Sequence, residues 1–280
     1  MSELGNAEYT LYSSPFSLYS MMARHTALLG PTTHGAKPPK SITLHFINHR
    51  DDENLSEAYL KVNPKGQVPA MTGNVLAHPL TDSHSISLHL AENHYPAMLP
   101  PQHAAVIRDL LARFHAIPGL ALSNKNPTPQ MIQYNPSPVD DILKRTDISP
   151  EYRKLLEAKL EFHNKINGVA FKPANVAKAR AELQAILAEV VEQRRQSGAS
   201  ESEGEWTFGS KVGPTVLDSH LIPVVLRCVE VDNSELVPQE LQRWADVVKA
   251  TSPVWQKVLQ GRPTRYDPSM GPLVADMQSL

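Results

Sequence analysis

The spacing of apolar residues changes once along this chain, at a proline cluster, and that change limits the folds open to it. Upstream of residues 96–103 (PAMLPPQH), stretches with strand-like alternation take turns with stretches of helical period; downstream, every periodic stretch is helical. Residues 9–12 (YTLY) and 42–47 (ITLHFI) read as strands. Between them, residues 17–29 (SLYSMMARHTALL) place Met22, Ala23, Thr26 and Leu29 at helical spacing, with Gly30 as a stop. A short helix over 54–62, capped by Asn54, is expected to end before Asn63-Pro64. Two short strands at 68–71 and 75–78, joined by Thr72-Gly73-Asn74, precede a helix from Ser83 to Tyr95-Pro96. Residues 1–95 thus read as a compact α/β unit with a mixed sheet.

Beyond a linker at 96–102, residues 103–280 read as a second, all-helical domain. Helices are expected at 106–115, 151–167, 174–195, 215–230 and 239–248, the second opening on Ser149 as N-cap with Pro150 at the first helical position. Residues 118–149, rich in Pro and Asn, read as a long irregular connection of the kind that is often functional. Residues 198–205 (GASESEGE) read as a flexible solvated loop, and the tail after Gly261 as loosely ordered.

Several functions are disfavoured by composition. The 280 residues carry 27 basic and 29 acidic side chains, with no Lys/Arg run interleaved with aromatics, so nucleic acid and anionic membranes are poor partners. No window approaches the length of a membrane span, and MSELGNAEY lacks the basic and apolar regions of a secretory leader. Cys228 stands alone, which fits a reducing compartment, most simply the cytoplasm. His84, His89 and His94 recur every five residues and so do not share a helix face; no metal site is expected.

Three features of the α/β half carry chemistry. In LYSSPFSLYS (11–20) a strand meets a helix N-terminus near Ser17, where free amide N–H groups and the macrodipole favour an anion and a hydroxyl can donate to it; a plain N-cap is the competing reading. In KVNPKGQVPAM (61–71) a Val-Pro enters a strand. An ordinary trans edge-strand proline is one reading; a cis Val68-Pro69 bond, leaving the Val68 backbone to pair with a peptide-like ligand, is the other. Thr81-Asp82-Ser83 sets an acid and a hydroxyl at the next helix start, suited either to capping or to an α-amino-acid group, Asp82 taking the ammonium and the Ser83 hydroxyl and N–H the carboxylate.

Joined, these motifs resemble the cytosolic glutathione transferases over nearly the whole chain. The resemblance runs through 11–28, 63–71, Asp82-Ser83 with Ile86-Ser87-Leu88, and Phe208-Gly209-Ser210 followed by Pro214-Thr215-Val216-Leu217-Asp218, which is similar to a helix-initiating capping box. It implies a thioredoxin-like domain followed by an all-helical one, and glutathione as co-substrate. Val68 would pair with its cysteinyl part through a cis-Pro69, and Asp82 and Ser83 would hold its γ-glutamyl end, although Asp82 stands where the family usually has Glu. Gln67 and Lys61 lie where other members bind the glycyl carboxylate.

Pro15-Phe16-Ser17 matches the serine-type pattern of the theta, delta and phi classes and fungal relatives, which makes Ser17 the donor to the thiolate, with Ser14 and then Ser13 as runners-up. Such a bond contributes ~1.5–3 kcal/mol, about one to two pKa units of thiol activation. Tyr12 is a residue out of step with the tyrosine-type pattern, and no cysteine near the first helix supports thiol–disulfide chemistry, so Cys228 reads as a core residue. By family position Phe16, Tyr19, Phe114 and His115 would line the acceptor pocket. The expectation is a homodimeric transferase of detoxification or secondary metabolism, conjugating glutathione to a hydrophobic electrophile or using it in isomerisation or elimination. A non-catalytic binding scaffold is the alternative.

Overall fold

The computed structural model describes residues 3–199 and 205–266. Its sheet has three strands, β1 (Glu8–Ser13), β2 (Ser41–Phe46) and β3 (Ala70–Gly73), in the order β2-β1-β3. β1 runs parallel to β2, with Leu11 opposite Leu44, and antiparallel to β3, with Leu11 opposite Met71. The alternation read in YTLY sets the faces: Tyr9 and Leu11 turn inward and share one core with Met21, Met22 and Ile86 of helices α1 (Leu18–Leu29) and α3 (Ser83–Asn93).

Two local expectations are corrected. The second strand of the hairpin, at 75–78, does not form. Pro79 has no N–H for a ladder, and the chain bridges to β3 at Leu80, which exchanges two hydrogen bonds with Met71 (2.7 and 2.9 Å). The helix expected from Asn54 begins later, as α2 (Glu57–Val62): the Ser56 hydroxyl caps it by accepting the Tyr59 N–H, while the Asn54 side chain donates to the Gly66 carbonyl at 2.9 Å.

Among the described residues from α4 (Ala104–Ala116) onward, the regular elements are all helices: α5 (Pro129–Gln133), α6 (Val139–Ile142), α7 (Pro150–Lys165), α8 (Pro173–Ser197), α9 (Val216–Glu230), α10 (Gln239–Thr251) and α11 (Pro253–Leu259). The stretch 118–149 is therefore not irregular throughout. It folds because Val139 joins Leu55, Leu60 and Leu156 in a separate apolar cluster that clamps α6 and α7 onto α2. Most of the 198–205 loop and the tail from 267 lie outside the described residues, whereas 262–266 are described.

α9 is the central helix, with twelve of its 15 residues buried. Its capping box forms as read: the Asp218 carboxylate accepts the Thr215 N–H at 2.8 Å, and the Thr215 hydroxyl oxygen accepts the Asp218 N–H at 3.5 Å. Pro223 interrupts the helix ladder and leaves the Ser219 carbonyl without its amide partner; the His25 Nδ1–H of α1 supplies the bond at 3.1 Å. α1 is thereby pinned to α9, and its N-terminus opens on a cleft.

Candidate active site

A cleft of about 920 Å³ separates the loop before α1, the segment before β3 and the first turn of α3 from the end of α4 and parts of α7, α8 and α9. A more open groove of about 610 Å³ runs over the sheet at Glu8, Thr10, Thr43 and Asn74, and none of the sequence-predicted residues lines it.

Ser17 lies in the large cleft as the N-cap of α1. Its oxygen accepts the Ser20 N–H at 3.3 Å, and its backbone carbonyl accepts the Met21 N–H at 2.9 Å. Capping uses a lone pair and leaves the hydroxyl hydrogen to be donated, so the two readings of Ser17 are compatible. Ser13 and Ser14 are buried and do not line the cleft; the Ser13 hydroxyl has no partner among the described residues. The loop is held from the far side by Arg227 of α9, whose Nη2 donates to the Phe16 carbonyl at 2.8 Å. Arg227 also donates to the Thr264 hydroxyl at 3.1 Å, tying in the chain after α11.

The Val68-Pro69 bond is cis. The Val68 N–H and C=O have no hydrogen-bond partner among the described residues, and Val68 lines the cleft. What holds the segment in place is the preceding carbonyl: Gln67 O accepts from the Tyr59 hydroxyl at 2.6 Å and from Asn63 Nδ2 at 2.7 Å. Asn63 is fully buried, so the Asn-Pro turn clamps the segment as well as ending α2.

Asp82 and Ser83 both line the cleft, and of the two readings Asp82 takes the capping one, as the N-cap of α3. Both Asp82 carboxylate oxygens are engaged by Ser85, one accepting its N–H at 2.7 Å and the other its hydroxyl at 2.9 Å. The Ser83 hydroxyl turns into the core toward Met22 Sδ at 3.9 Å. The Ser83 N–H, in the first turn of α3, has no intrahelical acceptor and remains as the donor on that side.

Lys61 does not line the cleft. On the exposed side of α2 its Nζ pairs with Glu57 at 3.1 Å and Glu151 at 3.7 Å. Besides the exposed Lys65, the cation lining this end is Lys159, which the sequence reading missed. It is 5 % exposed, donates to the Lys65 carbonyl at 2.6 Å and has no carboxylate partner among the described residues; burial pushes its pKa down to about 8. A signal was present in the sequence: Leu156, Lys159 and His163 share the buried face of α7, and a lysine on an apolar stripe calls for a reason. Gln67, His49 and Asn54 line the same end.

The four aromatic candidates, Phe16, Tyr19, Phe114 and His115, all line the cleft's other half, with Ile117, Leu183 and Val224. Cys228 borders it too, 4 % exposed, its thiol pushed up to about 12 by burial. Such a thiol is not a nucleophile near neutral pH.

No protein-family model and no curated protein sequence matches the chain. Solved structures do. A variant of human glutathione-S-transferase T1-1 in its apo form superposes with a TM-score of 0.56, at 18% identity over 94% of each chain. A bacterial maleyl pyruvate isomerase, described as a glutathione-S-transferase in Zeta class, matches with a TM-score of 0.53 at 19% identity, over 92% of this chain and 100% of its own. A glutathione transferase homologue from Sulfitobacter, with bound glutathione, matches at 0.51 and 14% identity, over 90% of this chain and 97% of its own. The chain has the glutathione-transferase fold, a thioredoxin-like sheet unit followed by helices.

Proposed function

We propose that this glutathione-transferase fold binds reduced glutathione in the 920 Å³ cleft and activates its thiol for transfer to a hydrophobic acceptor. One observation carries the reading: the unpaired Val68 backbone and the Ser17 hydroxyl, 51 positions apart in the chain, line the same cleft. A peptide-like ligand paired with Val68 satisfies both orphan backbone groups, as an added strand does. Its cysteinyl sulfur then falls to the Ser17 side, where the hydroxyl and the N-terminus of α1 favour the thiolate. Ser17 acts as a donor only. The Ser83 N–H and the Asp82 carboxylate border the γ-glutamyl side, and Lys159 with Gln67 offers the glycyl carboxylate a buried cation.

The half of the cleft walled by Phe16, Tyr19 and Phe114 is the acceptor site in this reading, suited to apolar electrophiles. Conjugation, or addition followed by elimination or isomerisation, uses the same thiolate. Steady-state assay of Ser17→Ala tests the assignment: turnover should fall by about tenfold or more, from loss of a charge-assisted hydrogen bond. Unchanged turnover would remove Ser17 from its role.

A second reading, a glutathione-transferase-like scaffold without catalysis, draws on one observation: Ser85 occupies both Asp82 oxygens, and Met22 faces the Ser83 hydroxyl. Calorimetric titration with reduced glutathione separates the two, because a scaffold that has lost the site gives no binding heat at millimolar ligand.

A further inference from the structure

The unpaired Val68 backbone sets which way a peptide thiol lies in the cleft. One residue exchanges both its N–H and its C=O with a single partner residue only in antiparallel pairing. A cysteinyl residue paired with Val68 therefore sends its C-terminal neighbour toward Gln67 and Gly66. Its N-terminal neighbour runs past Pro69 toward Thr81–Ser85, which the Leu80 bridge to Met71 sets beside the chain after Pro69.

These two directions meet unequal partners. On the C-terminal side stands Lys159. Its stem packs on Gly66, where an added Cβ would lie 3.2 Å from both Cδ and Cε. Its ammonium gives one hydrogen bond, to the Lys65 carbonyl at 2.6 Å, and has no carboxylate partner among the described residues. An ammonium has three donors, so two remain for an anion. A buried cation without a counter-charge is a cost that an incoming carboxylate removes. Lys65 and Gln67 line the same end.

On the N-terminal side the polar groups are already engaged. The Asp82 oxygens hold the Ser85 N–H and hydroxyl at 2.7 and 2.9 Å, and the carboxylate caps α3, where the helix N-terminus offsets its charge. The Ser83 hydroxyl points to Met22 Sδ, and the Thr81 carbonyl accepts from Asn63 Nδ2 at 3.3 Å. His84 keeps its Nε2 buried and stacks on His115 at 5.2 Å. A carboxylate that already holds two donors in its own turn attracts a ligand ammonium less than a free one does.

We infer that this protein selects its thiol by the C-terminal carboxylate, which Lys159 holds, and that the γ-glutamyl group is dispensable, so that cysteinylglycine is bound as a co-substrate alongside glutathione. This rests on the peptide-thiol reading of the cleft given above. In cysteinylglycine an α-ammonium stands where glutathione has the γ-glutamyl amide N–H. That ammonium donates to the Val68 carbonyl, and the cysteinyl carbonyl still accepts the Val68 N–H. Both backbone bonds persist, and the sulfur keeps its place beside Ser17. The contacts of Ser85 and Met22 that favour a scaffold then have another account: they lower selectivity at one end of the thiol and leave its activation intact.

The test is calorimetric titration of the wild-type protein with three thioethers: S-methylglutathione, S-methylcysteinylglycine, which lacks the γ-glutamyl group, and γ-glutamyl-S-methylcysteine, which lacks the glycine. Removing the γ-glutamyl group should weaken binding by less than about threefold, and removing the glycine by about tenfold or more, as loss of a charge-assisted contact to a buried cation requires. In Lys159→Met the difference between S-methylglutathione and γ-glutamyl-S-methylcysteine should vanish, while S-methylcysteinylglycine falls with S-methylglutathione. A loss on removing the γ-glutamyl group that equals or exceeds the loss on removing the glycine overturns the inference and leaves the glutathione reading standing. Glycine discrimination that survives in Lys159→Met overturns the role given to Lys159. No binding heat from any of the three at millimolar ligand overturns the glutathione reading itself.

Discussion

Lys159 shows how a single side chain couples fold and ligand. Its buried ammonium is satisfied by one carbonyl and, among the described residues, by no anion, and burial pushes its pKa down to about 8. For a base depressed in the folded state, the cost of holding the charge is present below that value and relieved above it. A bound carboxylate reverses the sign by favouring the charged form. Binding of S-methylglutathione, which has no thiol to ionise, should therefore take up protons near pH 8, measured calorimetrically in buffers of different ionisation enthalpy. Lys159→Met should abolish the uptake and weaken binding by about tenfold or more. None of this follows from sequence position: Lys61 and Lys159 both lie on helical faces, and only packing buries one and leaves the other with Glu57 and Glu151.

Among the elements, α9 has the most local definition and the widest consequences. Asp218 accepts three hydrogen bonds while fully buried: from the Thr207 N–H at 2.9 Å, the Thr215 N–H at 2.8 Å and the Thr215 hydroxyl at 2.6 Å. Replacing it by Ala orphans all three donors and should cost ~3–5 kcal/mol, read as a lower urea midpoint with an unchanged m-value. The box was legible because its partners are three residues apart. The bonds from α9 to His25 and to the Phe16 carbonyl were not, since their partners lie 194 and 211 positions away. Helix starts show the same divide: Ser17, Ser149 and Thr215 cap where read, but Ser56 displaced Asn54, whose side chain found a tertiary partner in Gly66.

For the whole molecule, the decisive packing is that of α6 and α7 on α2, which places a helix from the second half of the chain at the rim of a cleft built largely from the first. Leu156 lies at the centre of that cluster, fully buried, and does not line the cleft. Leu156→Ala should cost ~2–5 kcal/mol from the cavity it opens, and should also weaken glutathione binding, because Lys159 one turn away loses its support. Equal affinity in a folded Leu156→Ala protein would mean that α7 is held to the cleft by other contacts. By itself the sequence determined the class of each half, most helix starts, and the two motifs, Pro-Phe-Ser and Asn-Pro-Lys-Gly-Gln-Val-Pro, that border the cleft. Those are short-range matters of apolar period, capping and proline chemistry. Tertiary structure alone decided which serine faces the cleft, which lysine is buried in its wall, that 118–149 folds, and that His115 joins His220 and Ser87. Those depend on contacts between distant segments, where burial and unpaired donors set the chemistry and no local pattern records it.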